Sequence, residues 1–441
     1  MLEYLCFMNP QLAESILNII LYFSAFIFAF FSWHVIYFYI ITCKKEKKIP
    51  HNENYSKFAV LIPARNESRV IKNLLNCLKK QTYPQKYFDV YVIVEEENDP
   101  TINIVKNLGY KIFVRDRLTP DRCTKGYALQ ECIDYFKREN ILYDAYMIFD
   151  ADNLIDDNFI EVMNDLRGQE VEIGVGYRNF TNPNQNILAS SSAIFFSYMN
   201  NVTSRGRSMT FDKAVIMGTG YYVNASIIDE AGGWIFVGMT EDTELTAYAY
   251  KHDIKMYYTK STCIYDEQAP HFRVWHNQHV RWIWGYLNDF KDVLEKGVDH
   301  HTLSKKRYQL AKVEYKVSFI PAVASFAIIA LGAIAEFIFG IIALIQNVNG
   351  YRFFFNGLMC IFVLLFIFTI QAFGQIIREN RKIKMGIFFA IYSCLTYWII
   401  YIDLVVSFFD GLFHKDKRTT WKPIKHDGKI TSKKAKKIKN E

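Results

Sequence analysis

The sequence predicts an α/β fold, a doubly wound sheet domain inserted between transmembrane α-helices. Three observations lead there. Apolar residues gather in long segments near both ends of the 441-residue chain; short apolar runs alternate with helical patterns between them; and acidic residues stand where two of those runs stop. A composition of 51% hydrophobic and 16% aromatic residues fits one soluble domain plus several membrane helices.

After an N-terminal segment, 1–14, the apolar segments at 15–42, 317–345, 353–375 and 385–410 are each long enough to cross a hydrocarbon core of about 30 Å. The first lacks a small-residue cleavage site and reads as an anchor rather than a removed signal peptide. Lys44, Lys45, Lys47 and Lys48 follow it in a basic linker, 43–57, which by the positive-inside tendency puts the soluble domain in the cytoplasm. Residues 414–441 hold eleven Lys or Arg against three acids, which accounts for the net charge of +7. This basic tail, 411–441, reads as a partner for anionic lipid headgroups and not for nucleic acid. About three transmembrane helices are expected in 317–410; four crossings in all would leave the tail outside, so one of the four apolar segments is expected to lie in the interface or re-enter.

Eight cysteines form no Cys-x-x-Cys pair, as expected for thiols in a reducing compartment. His271, His276 and His279 cluster in sequence but lack a carboxylate or thiol at helical spacing, so no metal site is read there.

Within the soluble domain, 58–270, Phe58-Ala59-Val60-Leu61-Ile62-Pro63 has the pattern of a buried parallel strand. A helix with Val70, Leu74, Leu75 and Leu78 on one face follows, with Asn66 or Ser68 as its expected cap. Residues 89–94, 111–114 and 145–149 are read as three further strands. In such sheets ligands bind at the carboxyl ends of strands, where Glu95-Glu96-Glu97 and Asp150-Ala151-Asp152 fall. No Gly-x-Gly-x-x-Gly and no phosphate loop follows any strand, which speaks against a dinucleotide fold and a phosphate-loop nucleotidase. Two carboxylates two residues apart can instead hold a hard divalent cation, with Lys125 and Arg281 as further charge for a diphosphate. The plainer alternative for Asp150 and Asp152 is a loop pair capping a helix that starts near Asp156 or Asp157. For Glu241 and Asp242 it is an acidic first helical turn.

Pro63-Ala64-Arg65-Asn66-Glu67, Lys125-Gly126-Tyr127-Ala128-Leu129, Asp150-Ala151-Asp152, Gly218-Thr219-Gly220, Thr240-Glu241-Asp242 and Gln278-His279-Val280-Arg281-Trp282 occur in that order. Over residues 58 to 290 the chain resembles the processive family 2 glycosyltransferases, such as cellulose, hyaluronan, chitin and poly-N-acetylglucosamine synthases. Thr420-Trp421 and His426 echo a tail motif of the same family. The resemblance implies a GT-A type mixed sheet and an inverting transfer from a UDP-sugar donor onto a growing polysaccharide. It also implies Mg2+ or Mn2+ on Asp150 and Asp152, with Asp152 the stronger ligand. Asp242, with Glu241 beside it, matches the general base. Gln278 and Arg281 match residues facing the pyrophosphate, Trp282 one that stacks on the acceptor sugar, and Lys125 a lysine near the nucleotide. Gly218, Thr219 and Gly220 match a loop at the acceptor end. Glu95 and Glu96 stand where most relatives carry an Asp-Asp pair for the base and ribose, followed by Asp99 and Thr101, and His279 stands where an arginine is usual.

Taken with the membrane segments, this gives a multi-pass plasma-membrane enzyme with a cytoplasmic catalytic domain, an amphipathic interface region at 271–316 and room for an accessory subunit. Two other functions compete. One is a non-processive transferase that adds one sugar to a lipid acceptor. The other is a channel or transporter with a nucleotide-sensing domain, disfavoured because Asp403 reads as the only acid clearly within the later apolar segments. Trp275 and Trp284 also fit an interfacial aromatic belt.

Overall fold

The computed structural model describes residues 10–117, 119, 122–294, 305–317, 320–345 and 351–414. Helix α1 (Pro10–Ile41) precedes the sheet domain, which begins with β1 (Phe58–Ala64), α2 (Ile71–Lys79), β2 (Phe88–Val94), α3 (Thr101–Leu108) and β3 (Lys111–Val114). It continues through α4 (Lys125–Arg138), β4 (Ala145–Ile148), β5 (Leu154–Ile155), α5 (Phe159–Arg167) and β6 (Ile173–Phe180). Then come α6 (Ile187–Tyr198), α7 (Arg205–Phe211), β7 (Tyr221–Asn224), α8 (Ala225–Glu230), α9 (Glu241–Lys251) and β8 (Met256–Asp266). The remaining helices are α10 (Phe272–Leu294), α11 (Lys305–Val317), α12 (Ile320–Ile345), α13 (Tyr351–Ile383), α14 (Ile387–Thr396) and α15 (Trp398–Phe413).

All eight strands join one mixed sheet in the order β3-β2-β1-β4-β7-β6-β8-β5. Strands β3, β2, β1 and β4 run parallel, as their unbroken apolar sequences predict. Strand β7 is antiparallel to both β4 and β6, which makes the sheet mixed. The strand period of two divides β1 between two cores. Ala59 and Leu61 pack with Leu129, Ile133 and Phe136 of α4, while Phe58, Val60 and Ile62 pack with Leu74, Leu75 and Leu78 of α2. Each such large side chain contributes roughly 1.5–3 kcal/mol by leaving water.

Neither Asn66 nor Ser68 caps α2. That helix starts after Val70 without a side-chain cap, and Asn66 takes a left-handed φ of 58°. Its amide donates to Asp99 Oδ2 at 2.9 Å, and the Glu67 amide donates to Thr101 Oγ1 at 3.0 Å. Asp99 and Thr101 therefore shape the loop after β1.

Among the described residues, two helices are long and apolar enough to cross a membrane, Asn18–Ile41 within α1 and Arg352–Ile383 within α13. The segment expected at 385–410 is two helices, α14 and α15, bent by 46°, and adds a third crossing if the pair is one span. No glycine or proline stands at the bend; Trp398 Nε1 satisfies a freed carbonyl there, that of Leu395, at 2.9 Å. Asp403 is not the only acid in these helices, because α12 buries Glu336 completely and α15 also carries Asp410. The basic tail from residue 415 on, with Thr420, Trp421 and His426, lies outside the described residues, as do residues 1–9.

Candidate active site

Strand β4 ends in a loop that is tied down from both sides. The Asp150 amide donates to Asn153 Oδ1 at 3.1 Å and to Thr219 Oγ1 at 3.0 Å, and the Thr219 hydroxyl itself donates to Asn153. Asn153 is fully buried, so this polar knot fixes the backbone carrying Asp150 and Asp152. These two acids cap no helix. Helix α5 starts at Phe159, whose amide bonds to the Asp156 carbonyl. Gly218 and Gly220 have φ of +80° and +69°, and a Cβ at Gly220 would lie 2.5 Å from Ile264. They are the turn glycines that bring Thr219 under β4.

Lys125, at the first position of α4, reaches into this loop. Its Nζ lies 2.6 Å from Asp150 Oδ1, 2.6 Å from the Gly218 carbonyl and 3.4 Å from Glu241 Oε1. Gly126 lets α4 come this close, because a Cβ there would lie 2.2 Å from the Phe236 carbonyl oxygen. Burial works against the Lys125 ammonium, yet Asp150 and Glu241 hold its pKa above the ordinary lysine range. Glu241 and Asp242 do form the acidic first turn of α9 and also face this cluster. Burial lifts Glu241 to about 7 against the pull of Lys125, with Asp242 adding to the rise. Burial raises Asp242 as well, again opposed by Lys125. Two carboxylates with raised pKa values in one cleft are the usual mark of proton-transfer chemistry.

Glu95, Lys125, Asp150, Asp152, Glu241, Asp242, Gln278, Arg281 and Trp282 all line a single cavity of about 1560 Å³. Glu96 does not; it is exposed and lies outside the lining. Glu95 is engaged by Arg65, a residue of the first motif, at 2.7 Å and by Arg115, which the sequence reading missed, at 3.6 Å. The aromatic edge of Trp282 meets Phe196 at 5.6 Å in a T-shaped pair. Phe196 in turn lies under the Arg178 guanidinium at 4.5 Å. Arg178 and Asp266 are cavity residues that the sequence reading missed: the guanidinium donates to Asp266 Oδ2 through Nε at 3.0 Å and to the Met217 carbonyl at 2.9 Å. The signal for Arg178 was a charge set within the short run Ile173–Phe180, and Asp266 stands at the carboxyl end of β8.

His279 does not itself line the cavity. It is buried, bonds to Asp403 of α15, and lies with its ring 5.3 Å from that of Trp282. Trp275 and Trp284 both pack against neighbouring helices. Trp275 is buried with Nε1 on Ser192 Oγ at 2.8 Å, and Trp284 stacks on Phe408 at 5.6 Å.

Beyond Trp282 the cavity continues between the apolar helices. Its walls include Leu21, Tyr39 and Ile40 of α1, Glu336 of α12, Asn356, Phe368 and Gln371 of α13, and Tyr401 of α15. From Asn18 to Ile40 the lining follows α1 for about 33 Å, the length of a membrane crossing.

Residues 56–285, the stretch that builds this cleft, match the model of "Glycosyltransferase like family 2". The chain belongs to glycosyltransferase family 2. This glycosyltransferase is 28% identical over 254 residues to the probable glycosyltransferase YdaM of Bacillus subtilis, covering 54% of this chain and 58% of that protein. It is 25% identical over 258 residues to the probable glucomannan 4-beta-mannosyltransferase 3 of Oryza sativa, covering 54% and 44%. The chain thus spans about half the length of the curated relatives it matches. In three dimensions it is similar to the mannosyltransferase PcManGT from Pyrobaculum calidifontis, solved in complex with GDP-Man and Mn2+. That likeness has a TM-score of 0.58 and 13% identity and covers 88% of this chain and 99% of that one, which shows a shared GT-A-like fold.

Proposed function

We propose that this glycosyltransferase is a membrane-bound, inverting enzyme that extends a beta-linked polysaccharide from a UDP-sugar donor and moves the product along its own helices. The observation that carries this reading is the continuity of the cavity from the carboxylate cluster, past Trp282, along the faces of α1 and α13. A chain of sugars needs such a path, and a soluble acceptor does not.

Asp242 takes the proton of the acceptor hydroxyl as that oxygen attacks the anomeric carbon, and the bond to UDP breaks on the opposite face. One ionised carboxylate suffices for this single displacement, in contrast to the carboxylate pair of a retaining mechanism. Glu241 sits beside it and stays within reach of Lys125, which keeps the pair's charge balanced. Asp150 and Asp152 offer oxygen donors at the cavity wall and fit Mg2+ or Mn2+, a cation commonly held by one or two carboxylates plus substrate phosphates. Such an ion, when bound, stabilises the charge gathering on the departing diphosphate. Arg281 and Gln278 supply positive charge and hydrogen bonds on the same side, Glu95 marks the nucleotide end, and Trp282 offers an aromatic face to the acceptor pyranose.

In this reading the catalytic domain is cytoplasmic and the protein is a multi-pass component of the plasma membrane. With α12, whose apolar stretch Ala327–Ile342 is shorter, crossing alongside α1 and α13, and with the bent α14–α15 pair lying at the interface, three crossings return the end of the chain to the cytoplasmic side, in keeping with charge bias. An accessory subunit remains compatible with it.

A second reading, transfer of one sugar to a lipid acceptor, is favoured by the apolar character of part of the same wall, where Leu21, Phe28, Val363 and Ile367 would suit an acyl or isoprenoid chain. Purified protein in detergent, given UDP-glucose or UDP-N-acetylglucosamine with Mn2+, should release UDP and form long, enzyme-digestible polymer. A lipid-extractable product carrying one sugar would establish the second reading, and no UDP release from any donor would refute both.

A further inference from the structure

Helix α10 carries polar groups on two adjoining faces. Gln278, Arg281 and Trp282 face the cavity, and Gly285 on the same face packs so closely on Thr240 that a Cβ would lie 2.1 Å from its Oγ1. Position 276 lies about half a turn round the helix from Gln278 and position 279 about 100° from it, with the His279 ring 5.3 Å from that of Trp282. They meet α15, where the Asp403 carboxylate is 2.6 Å from His276 Nδ1 and 2.6 Å from His279 Nδ1. His276 Nε2 also reaches Asp410 Oδ2 at 2.9 Å, and Ser407 Oγ lies 3.2 Å from His276 Nδ1 and 3.4 Å from Asp403 Oδ2. None of these five residues lines the cavity. Below them Trp284 donates to the Phe408 carbonyl at 3.2 Å, and Gly411 leaves the room its indole needs.

We propose that Asp403 is a positioning residue for sugar transfer, fixing the rotation of α10 through His276 and His279 and so placing Arg281 and Trp282 against the carboxylates of α9. One hydrogen bond between two helices still permits rolling, whereas two, one turn apart and ending on the same carboxylate, do not. A roll of about 10° moves a side-chain tip 5–6 Å from the helix axis by about 1 Å. Misplacement of that size lowers a transfer rate by up to about 100-fold. The apolar α15 thereby becomes part of the catalytic frame, and the setting of α10 depends on how α15 is seated.

This inference rests on reading the cleft as the transfer site, and its test separates the two. In the full chain in detergent, Asp403→Asn should lower kcat for UDP-sugar turnover roughly tenfold or more, with the donor KM within about threefold of wild type. Binding of UDP should persist, and Asp403→Glu should recover part of the rate. In an Arg281→Lys background the same Asp403→Asn change should cost far less, because both act through one group. Amide hydrogen exchange across residues 275–286 should rise in Asp403→Asn while β4 stays protected, a readout that needs no turnover. Should Asp403→Asn not accumulate, His279→Gln cuts the same link from the other side. A wild-type kcat, an equal cost in both backgrounds, or unchanged exchange in α10 would each overturn the proposal. A wild type that turns over no donor, with exchange in α10 still governed by Asp403, would overturn the transfer reading alone.

Discussion

Lys125→Met would leave Asp150, Glu241 and Asp242 facing one another with their nearest cation gone. At an effective dielectric of about 20, unit charges at the observed 2.6 and 3.4 Å attract by about 6 and 5 kcal/mol before desolvation is counted. Breaking a buried pair from one side costs about 3–5 kcal/mol net. The Lys125 and Asp150 side chains keep 20% and 38% of their exposure, and screening brings the expected loss to about 2–3 kcal/mol. For a domain of this size that corresponds to a fall in melting midpoint of about 5–10 °C. The assay is thermal unfolding of the full chain in detergent, followed by tryptophan fluorescence in EDTA. Its pH dependence has a definite sign. Burial raises the folded pKa of Glu241 and Asp242 above their unfolded values, so the folded state holds protons longer, and stability is lost as pH rises from the ordinary carboxylate range through about 7. The variant should therefore fall furthest below wild type at about pH 8, with the gap narrowing toward pH 5 as Glu241 and Asp242 take up protons. Mn2+ should recover more of the midpoint in the variant than in wild type, since added positive charge replaces what was removed. A variant melting within about 2 °C of wild type at pH 8 in EDTA would refute this account of the cleft's charge.

Asp242→Asn should lower kcat by about 10²–10⁴-fold while UDP binding persists, and unchanged turnover would remove Asp242 from the base role. Because Asp242 must be ionised to accept a proton and burial raises its pKa, the acid limb of kcat/KM should lie above the ordinary carboxylate range. A limb close to 4 in a profile from pH 4 to 9 would contradict that. Gly411→Ala would set a Cβ 1.8 Å from Trp284 Nε1, and overpacking of this kind costs about 1–3 kcal/mol. A lower melting midpoint with slower transfer is expected, and a variant unchanged in both would show that α10 and α15 do not meet there.

The first half of the sheet was legible because β1, β2 and β4 are buried on both faces and read as unbroken apolar runs. The second half was not. Strand β5 has two residues, β7 has four, and β6 carries glycines where Tyr222 and Phe159 pack across it, so none shows a clean period. The bend between α14 and α15 lacks the glycine or proline that would have announced it.

The site divides in a similar way, and α10 shows why. Gln278, Arg281 and Trp282 recur at intervals of three and four, which puts them on one face of a helix and into one cavity. His279 stands between them in the chain but is rotated by about 100° from Gln278, and Asp403 of α15 receives it instead. The linear motif thus contains residues of two different environments, and only helical phase separates them. Lys125 carries the converse lesson. Its place at the head of α4 suggested a cation waiting for phosphate, whereas the structure has it bridging Asp150 and Glu241. The two roles are one physical requirement, because a cleft that gathers Asp150, Asp152, Glu241 and Asp242 must hold positive charge before substrate arrives. The same cation can turn toward a diphosphate once other positive charge meets the carboxylates.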